Sequence, residues 1–275
     1  MILCAGLGTR LRPLTDRLAK PMVPIGDEPA LAHVVRRVRL AASRLVVNVH
    51  HRPDDVRAWA EPEGIAVSHE PDLLGTAGGL AGARDLLGDG DVLVWNGDIL
   101  TELDPRVLFD AHAHAATLAV KRRLAGEGNV GIAADGSVVR LRKESIGDPS
   151  REASGGEFLG IHVVGAALRE QLPAKGCLVG DVYLPALRRG ERLDACFVDP
   201  PFVDVGTIAQ YLAANAAWLA SRSLPSWSHP TAQVNADIEG SVIGAGARID
   251  APTRQCVVWR GAHVTTPSTG VVVTA

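Results

Sequence analysis

The chain has 275 residues, 47% of them apolar, which is enough for one large domain with a sizeable core and a smaller second one. Its formal charge of −3, with no long basic stripe, argues against nucleic acid as a partner. No apolar run approaches the roughly 20 residues of a membrane span, and no charged segment precedes Met1-Ile2-Leu3, so neither a span nor a signal peptide is expected and the cytoplasm is the expected compartment.

Strand-like and helix-like segments alternate from the start. Residues 1–5 read as a strand stub, 30–42 as a helix and 44–49 as a strand. Residues 53–59 open a helix, 65–68 are a strand, 76–87 a helix and 91–95 a strand. A helix over 108–115 and a strand over 116–120 follow. Such alternation with short connections predicts a doubly wound α/β sheet, mixed but mainly parallel, with ligands at the carboxyl ends of the strands.

Residues 126–165 change character. Strands over 130–133, 138–142 and 158–164 read as a meander added to the sheet, with 144–156 as a mobile polar loop. Helices are expected over 166–172 and 181–189, a strand over 195–198, and a long amphipathic helix over roughly 207–222 carrying Tyr211, Leu212 and Trp218 on or near one face. These residues, 1–222, form the expected main domain. Residues 223–229 read as a linker. In 230–275, apolar pairs six residues apart (Ile243 and Ile249, Val258 and Val264) predict a short left-handed parallel β-helix of two or three coils. So few coils bury little surface alone, so a homo-oligomer through them, or cover by the main domain, is expected.

The most informative stretch is residues 6–21, which begin Gly6-Leu7-Gly8-Thr9-Arg10 and end at Lys20-Pro21. Glycine loops bring backbone N–H groups up to phosphates, and Arg10 and Lys20 stand behind this one. It is not a P-loop, and Leu11 occupies the place of the third glycine of a dinucleotide turn. Both cations could equally be solvated surface charges, although Pro21 holds Lys20 on extended backbone. Asp98, after Asn96-Gly97, and Asp204, before Gly206, each end an apolar strand, where a carboxylate could face the crevice as a hard oxygen ligand for Mg2+. Asp98 could instead belong only to a turn. A second glycine segment, Leu74-Gly75-Thr76-Ala77, either caps a helix through Thr76 or offers bare backbone to the edge of a base. Lys143 reads as a strand-end charge. Cys4, Cys177, Cys196 and Cys256 have no metal-ligand spacing and are expected as free thiols. The histidines have no metal or triad partner at useful spacing.

Taken together, these motifs resemble the sugar-1-phosphate nucleotidyltransferases over nearly the whole chain. The resemblance implies a Rossmann-like nucleotidyltransferase fold and a Mg2+-dependent reaction. A sugar 1-phosphate oxygen would attack the α-phosphorus of a nucleoside triphosphate and pyrophosphate would leave, with no general base required. It implies catalytic roles for Arg10, Lys20, Asp98 and Asp204, with Asp98 and Asp204 on the metal. It further implies a nucleotide site at Ala5, Gly6, Gly8, Thr9, Arg10, Leu74, Gly75, Thr76 and Ala77. Lys143, Glu157 and Gly160 would meet the sugar phosphate, although Arg142 and Glu144 replace the Glu and Pro that flank the family's lysine. The β-helix resembles that of the mannose-1-phosphate guanylyltransferase branch and points to GTP with mannose 1-phosphate, leaving UTP or dTTP open. Two rivals have other roles. One is a non-catalytic sugar-nucleotide sensor of the same architecture; the other is a β-helix acyltransferase, for which only His229 and His263 are local histidines.

Overall fold

The computed structural model describes residues 1–275 and divides into two compact units. The first comprises 1–6 and 34–201, the second 7–33 and 202–275.

The first unit is built on a mixed sheet. Its parallel part is β1 (Ile2–Leu3), β2 (Val46–Val49), β3 (Ala66–His69) and β4 (Val92–Asn96), in the order β4-β1-β2-β3. Parallel strands are covered on both faces, which is why Val46, Val47, Val94 and Trp95 form unbroken apolar runs and are fully buried. The helices α1 (Ala30–Val38), α2 (Pro53–Ala60) and α3 (Gly75–Gly82) fall in the connections. The helix expected over 76–87 stops at Gly82 and a separate short helix takes Arg84–Leu87, because glycines 78, 79 and 82 give the axis few side chains to brace it. The helix expected over 108–115 is α4, Arg106–Asp110, begun where Asp104 accepts the Arg106 N–H at 3.0 Å. It ends early because the Ala115 N–H and C=O are taken by Arg192 and Gly165.

The meander is β5 (Ala116–Arg123), β6 (Val130–Ala133), β7 (Val138–Leu141), β8 (Glu144–Ser145) and β9 (Glu152–Val164). The long β9 pairs antiparallel with β4, β5 and β6 and so joins both halves of the sheet. Residues 144–156 are thus more ordered than their polarity suggests. Glu152 accepts two hydrogen bonds of 2.9 Å from Arg140 and one of 2.7 Å from the Gly126 N–H, and hydrogen bonding to Arg140 first of all holds its carboxyl below the usual range. A short helix takes Ala166–Arg169, a π-helical turn, Leu178–Tyr183, runs into α5 (Leu184–Arg188), and β10 (Leu193–Phe197) adds parallel to β5.

The second unit joins the loop of residues 7–33 to the long helix α6 (Ile208–Ser221) and a left-handed β-helix. Thr207 caps α6 by accepting the Gln210 N–H. Tyr211 and Trp218 are buried as the periodicity requires, whereas Leu212 is only half-buried. The Tyr211 hydroxyl donates to the Pro24 carbonyl at 2.7 Å and accepts from Trp259 Nε1 at 2.9 Å, so one phenol ties the helix to the N-terminal loop and to the coils. The coils begin at Trp227–Ser228, inside the stretch expected as a linker, because those residues pair with Val242–Ile243. Val242 pairs onward with Val257 and Val257 with Val272, so the coil repeats every 15 residues rather than in even six-residue steps. Ile243, Ile249, Val258 and Val264 point into its core.

Candidate active site

In the first unit, a buried polar network ties the strand ends together. The Cys4 N–H donates to Asn48 Oδ1 at 2.8 Å, and Asn48 Nδ2 donates to Glu70 Oε1 at 2.6 Å. The second carboxylate oxygen of Glu70 accepts the Leu74 N–H at 3.0 Å. An amide can donate and accept at once, which lets Asn48 bridge an N–H on one side and a carboxylate on the other without leaving a buried group unsatisfied. A Cβ on Gly79 would lie 2.6 Å from both Asn48 Nδ2 and Glu70 Oε1, so only glycine lets α3 cross this network. Neither Asn48 nor Glu70 was expected in the site. The available signal was a lone polar residue inside Val46-Val47-Asn48-Val49.

That network anchors the Leu74–Ala77 turn. Gly75 has φ +76° and a Cβ there would lie 2.4 Å from the Gly176 carbonyl. The Leu74 carbonyl accepts from Gly176 N at 2.8 Å, and the Gly176 carbonyl accepts from Ala77 N at 2.9 Å. Thr76 does not cap the helix. Its hydroxyl instead accepts the Leu178 N–H at 2.8 Å, because the segment around Gly176 lies against the turn.

Asp98 follows β4 and is half-buried. The turn is set by the Gly97 N–H on the Leu3 carbonyl (2.9 Å) and by Trp95 Nε1 on the Ile99 carbonyl (2.9 Å). Burial first, then the Asp98 charge, pushes the Cys4 thiol far up, so Cys4 stays protonated. Gly160, at φ +71°, sits on Asn96, with its missing Cβ position 2.3 Å from Asn96 Nδ2. It lies within a break in the β5–β9 register, and such bulges commonly flank sites. Glu157 is aimed by Asn129, whose amide nitrogen donates to it at 3.0 Å and whose oxygen accepts the Phe158 N–H at 2.8 Å. Lys143 lies exposed in the two-residue tip of the β7–β8 hairpin, where Leu141 pairs with Glu144. Glu144 is held by a bidentate pair to Arg188, 2.7 Å on each side.

Ala5 is buried at the end of β1, whereas Gly6 is exposed with open space on its Cβ side. In the second unit, Gly8 has φ +63° and its carbonyl accepts the Thr15 hydroxyl at 2.9 Å. A Cβ on Gly8 would meet Thr15 at 2.7 Å and Lys20 Cβ at 3.2 Å, so the glycine lets the loop fold tightly onto Lys20. Thr9 and Arg10 are exposed on a 3-10 turn pinned by buried Leu11. Lys20 Nζ lies 4.0 Å from Asp204 Oδ1. The Arg10 guanidinium packs on Gly206, 3.0 Å from its missing Cβ position, where Asp204 Oδ1 stands at 3.1 Å. Arg10 and Lys20 therefore converge within this unit on Asp204, which lies far from them in sequence.

The nucleotidyl transferase family model matches residues 1–221. The chain belongs to that family. The resemblance read from residues 6–21 is thereby borne out. The chain is 28% identical over 238 residues to a mannose-1-phosphate guanyltransferase of Schizosaccharomyces pombe, a match covering 80% of this chain and 64% of that protein. It is 26% identical over 300 residues to a probable mannose-1-phosphate guanylyltransferase of Oryza sativa, covering 96% of this chain and 82% of that one. Among solved structures, HddC from Yersinia pseudotuberculosis, complexed with GMP-PN, shares the fold with a TM-score of 0.65 at 22% identity, covering 79% of this chain and 97% of that one. No helix is long and apolar enough to cross a membrane.

Proposed function

We propose that the protein transfers a nucleotidyl group from a nucleoside triphosphate to a sugar 1-phosphate, releasing pyrophosphate, with GTP and mannose 1-phosphate as the substrates. The observation that carries this reading is the folding of the 7–20 loop so that Arg10 and Lys20 meet Asp204 around Gly206. Transfer between phosphates needs positioning and charge neutralisation more than covalent help, and these groups suit that need. The relatives named as mannose-1-phosphate guanylyltransferases favour the guanine and mannose choice.

In this reading the N–H groups of Ala5, Gly6, Gly8 and Thr9 meet the triphosphate. Arg10 stabilises the departing pyrophosphate and Lys20 holds phosphate charge at the transition state. The backbone of Leu74, Gly75, Thr76 and Ala77 reads the base edge. Glu157 and Gly160 line the sugar pocket, and Lys143 is the lysine that the family resemblance assigns to the sugar phosphate. Asp98 and Asp204 are the residues that would hold Mg2+. The donor chemistry fits: carboxylate oxygens are hard ligands, and no cluster of three or more His, Cys, Asp or Glu competes to form a full protein cage. When bound, the ion supplies positive charge at phosphate oxygens. Self-association through the C-terminal coils belongs to the same reading, because so few short coils bury little surface on their own.

The test of substrate choice is product chromatography with GTP, UTP and dTTP, each offered with mannose 1-phosphate and glucose 1-phosphate. The expected outcome is GDP-mannose as the main product. A thymidine or uridine diphosphate sugar as the main product would overturn the base and sugar assignment while keeping the reaction class.

A further inference from the structure

The hairpin tip between β7 and β8 carries two cations side by side, and they are placed differently. Both side chains are exposed. Arg142 is tied down at both ends. Its backbone N–H donates to the Asn129 carbonyl at 2.7 Å, and Asn129 is the residue that aims Glu157. Its guanidinium donates to Cys177 Sγ at 3.1 Å. Cys177 stands between Gly176 and Leu178, the two residues bonded to the Leu74–Ala77 turn.

The position is also strained. Arg142 has φ +58°, a left-handed conformation that a long side chain adopts at a cost and that glycine adopts freely. Strain of this kind persists where the surroundings impose it, and it often marks a working residue. The partner of the guanidinium is a second sign. Burial acts to raise the Cys177 thiol, yet the net shift is downward, because the Gly180 and Val179 N–H groups, the Arg142 charge and the Thr76 hydroxyl favour the thiolate. The Arg142 charge is therefore one of the groups that favour negative charge at this place.

We infer that Arg142 is a cation that holds the phosphate of the sugar 1-phosphate, from a tip tied through Asn129 to Glu157 and through Cys177 to the segment on the Leu74–Ala77 turn. The inference rests on the proposed transfer reaction and deepens it. A guanidinium offers two parallel donors to a phosphate, which a single ammonium does not. On binding, the anion takes hydrogen bonds that the guanidinium otherwise directs to Cys177.

The experiment compares Arg142→Ala, Arg142→Gly, Arg142→Lys and Lys143→Ala in steady-state kinetics and in calorimetric binding of mannose 1-phosphate. Loss of one charge-assisted contact raises the KM and Kd for the sugar phosphate about 10- to 100-fold in the Ala and Gly variants, with the KM for the nucleotide within about twofold. Arg142→Lys recovers part of the loss. Arg142→Gly relieves the left-handed strain, so its thermal midpoint equals or exceeds the parent's while its affinity falls, a combination that a purely structural role does not produce. Alkylation of Cys177 by iodoacetamide, followed by peptide mapping, slows when sugar phosphate draws the guanidinium away. Unchanged sugar-phosphate binding in Arg142→Gly, or a loss confined to Lys143→Ala, overturns the inference. If the parent protein releases no pyrophosphate with any substrate pair, the transfer reading fails, and the calorimetric comparison still decides whether Arg142 binds the sugar phosphate.

Discussion

The two units hold their candidate residues in opposite ways. In the second unit one contiguous loop, residues 7–20, carries Arg10 and Lys20, and a single short turn brings in Asp204 and Gly206. In the first unit the Leu74–Ala77 turn is held by Cys4, Asn48 and Glu70 from three strand ends and by Gly176 and Leu178 from a segment a hundred residues away. A compact loop puts exposed charge close to a ligand and is supported by a few buried apolar residues such as Leu11. A distributed network depends on buried polar groups that all need partners. Substitutions in the loop should therefore cost activity and spare stability, and substitutions in the network should cost both.

The largest expected effect is that of Asp98→Asn, which keeps the shape of the turn and removes the charge proposed for the metal. Turnover should fall by about a thousandfold or more with an unchanged thermal midpoint, because charge stabilisation is commonly the largest single contribution to such transfers. Near-parental turnover would remove Asp98 from the metal site. Next is Lys20→Ala, with kcat lower by about 100-fold and the KM for the sugar phosphate little changed. A loss seen only in sugar-phosphate affinity would move Lys20 to the other substrate.

Glu70→Ala sharpens the contrast between the units. It leaves the Asn48 amide and the Leu74 N–H without their acceptor, and each buried polar group left unsatisfied costs about 1–3 kcal/mol. Chemical denaturation should show that loss together with a raised KM for the nucleotide. If Glu70→Ala cost activity and no stability, the network would be functional alone and the contrast would fail.

The smallest effect near neutral pH belongs to His162. It is fully buried with Nδ1 2.8 Å from the Tyr183 hydroxyl, and burial first of all lowers its pKa from 6.5 to about 3. The folded state resists a proton that the unfolded chain accepts. Stability is therefore complete above the unfolded pKa near 6.5 and falls as pH drops from there towards 3, by about 1.4 kcal/mol per pH unit for this one group. Denaturation midpoints between pH 7 and pH 4 should show the slope, and His162→Gln should flatten it. An equal slope in the variant would assign the acid sensitivity elsewhere.

These contrasts also explain what the sequence could reveal. The 6–21 loop was legible because its chemistry is consecutive, and the alternating strands and helices were legible because their periodicity is local. Asn48 and Glu70 were not, since 22 residues separate them and only the packing of neighbouring strands makes them partners. Residues 144–156 looked like a loop because half of β9 is polar, and that polarity is answered by Arg140 reaching across β6 from β7. The β-helix was legible from its six-residue pairs, and its 15-residue coil was not. The chain steps from Val242 to Arg248 to Thr253 to Val257, and only the six-residue step places matching aliphatic residues where a pattern is visible. Lys143 followed from the family pattern, whereas the contact of Arg142 with Cys177 depends on the fold.

The central claim is that this chain moves a nucleotidyl group between phosphates, and pyrophosphate release tests it most directly. The assay uses the full chain with Mg2+, a panel of nucleoside triphosphates and a panel of sugar 1-phosphates. The account predicts release that requires one matched pair and the metal, greatest for GTP with mannose 1-phosphate. Sugar-nucleotide binding without release from any pair would contradict it and favour a sensor built on the same fold.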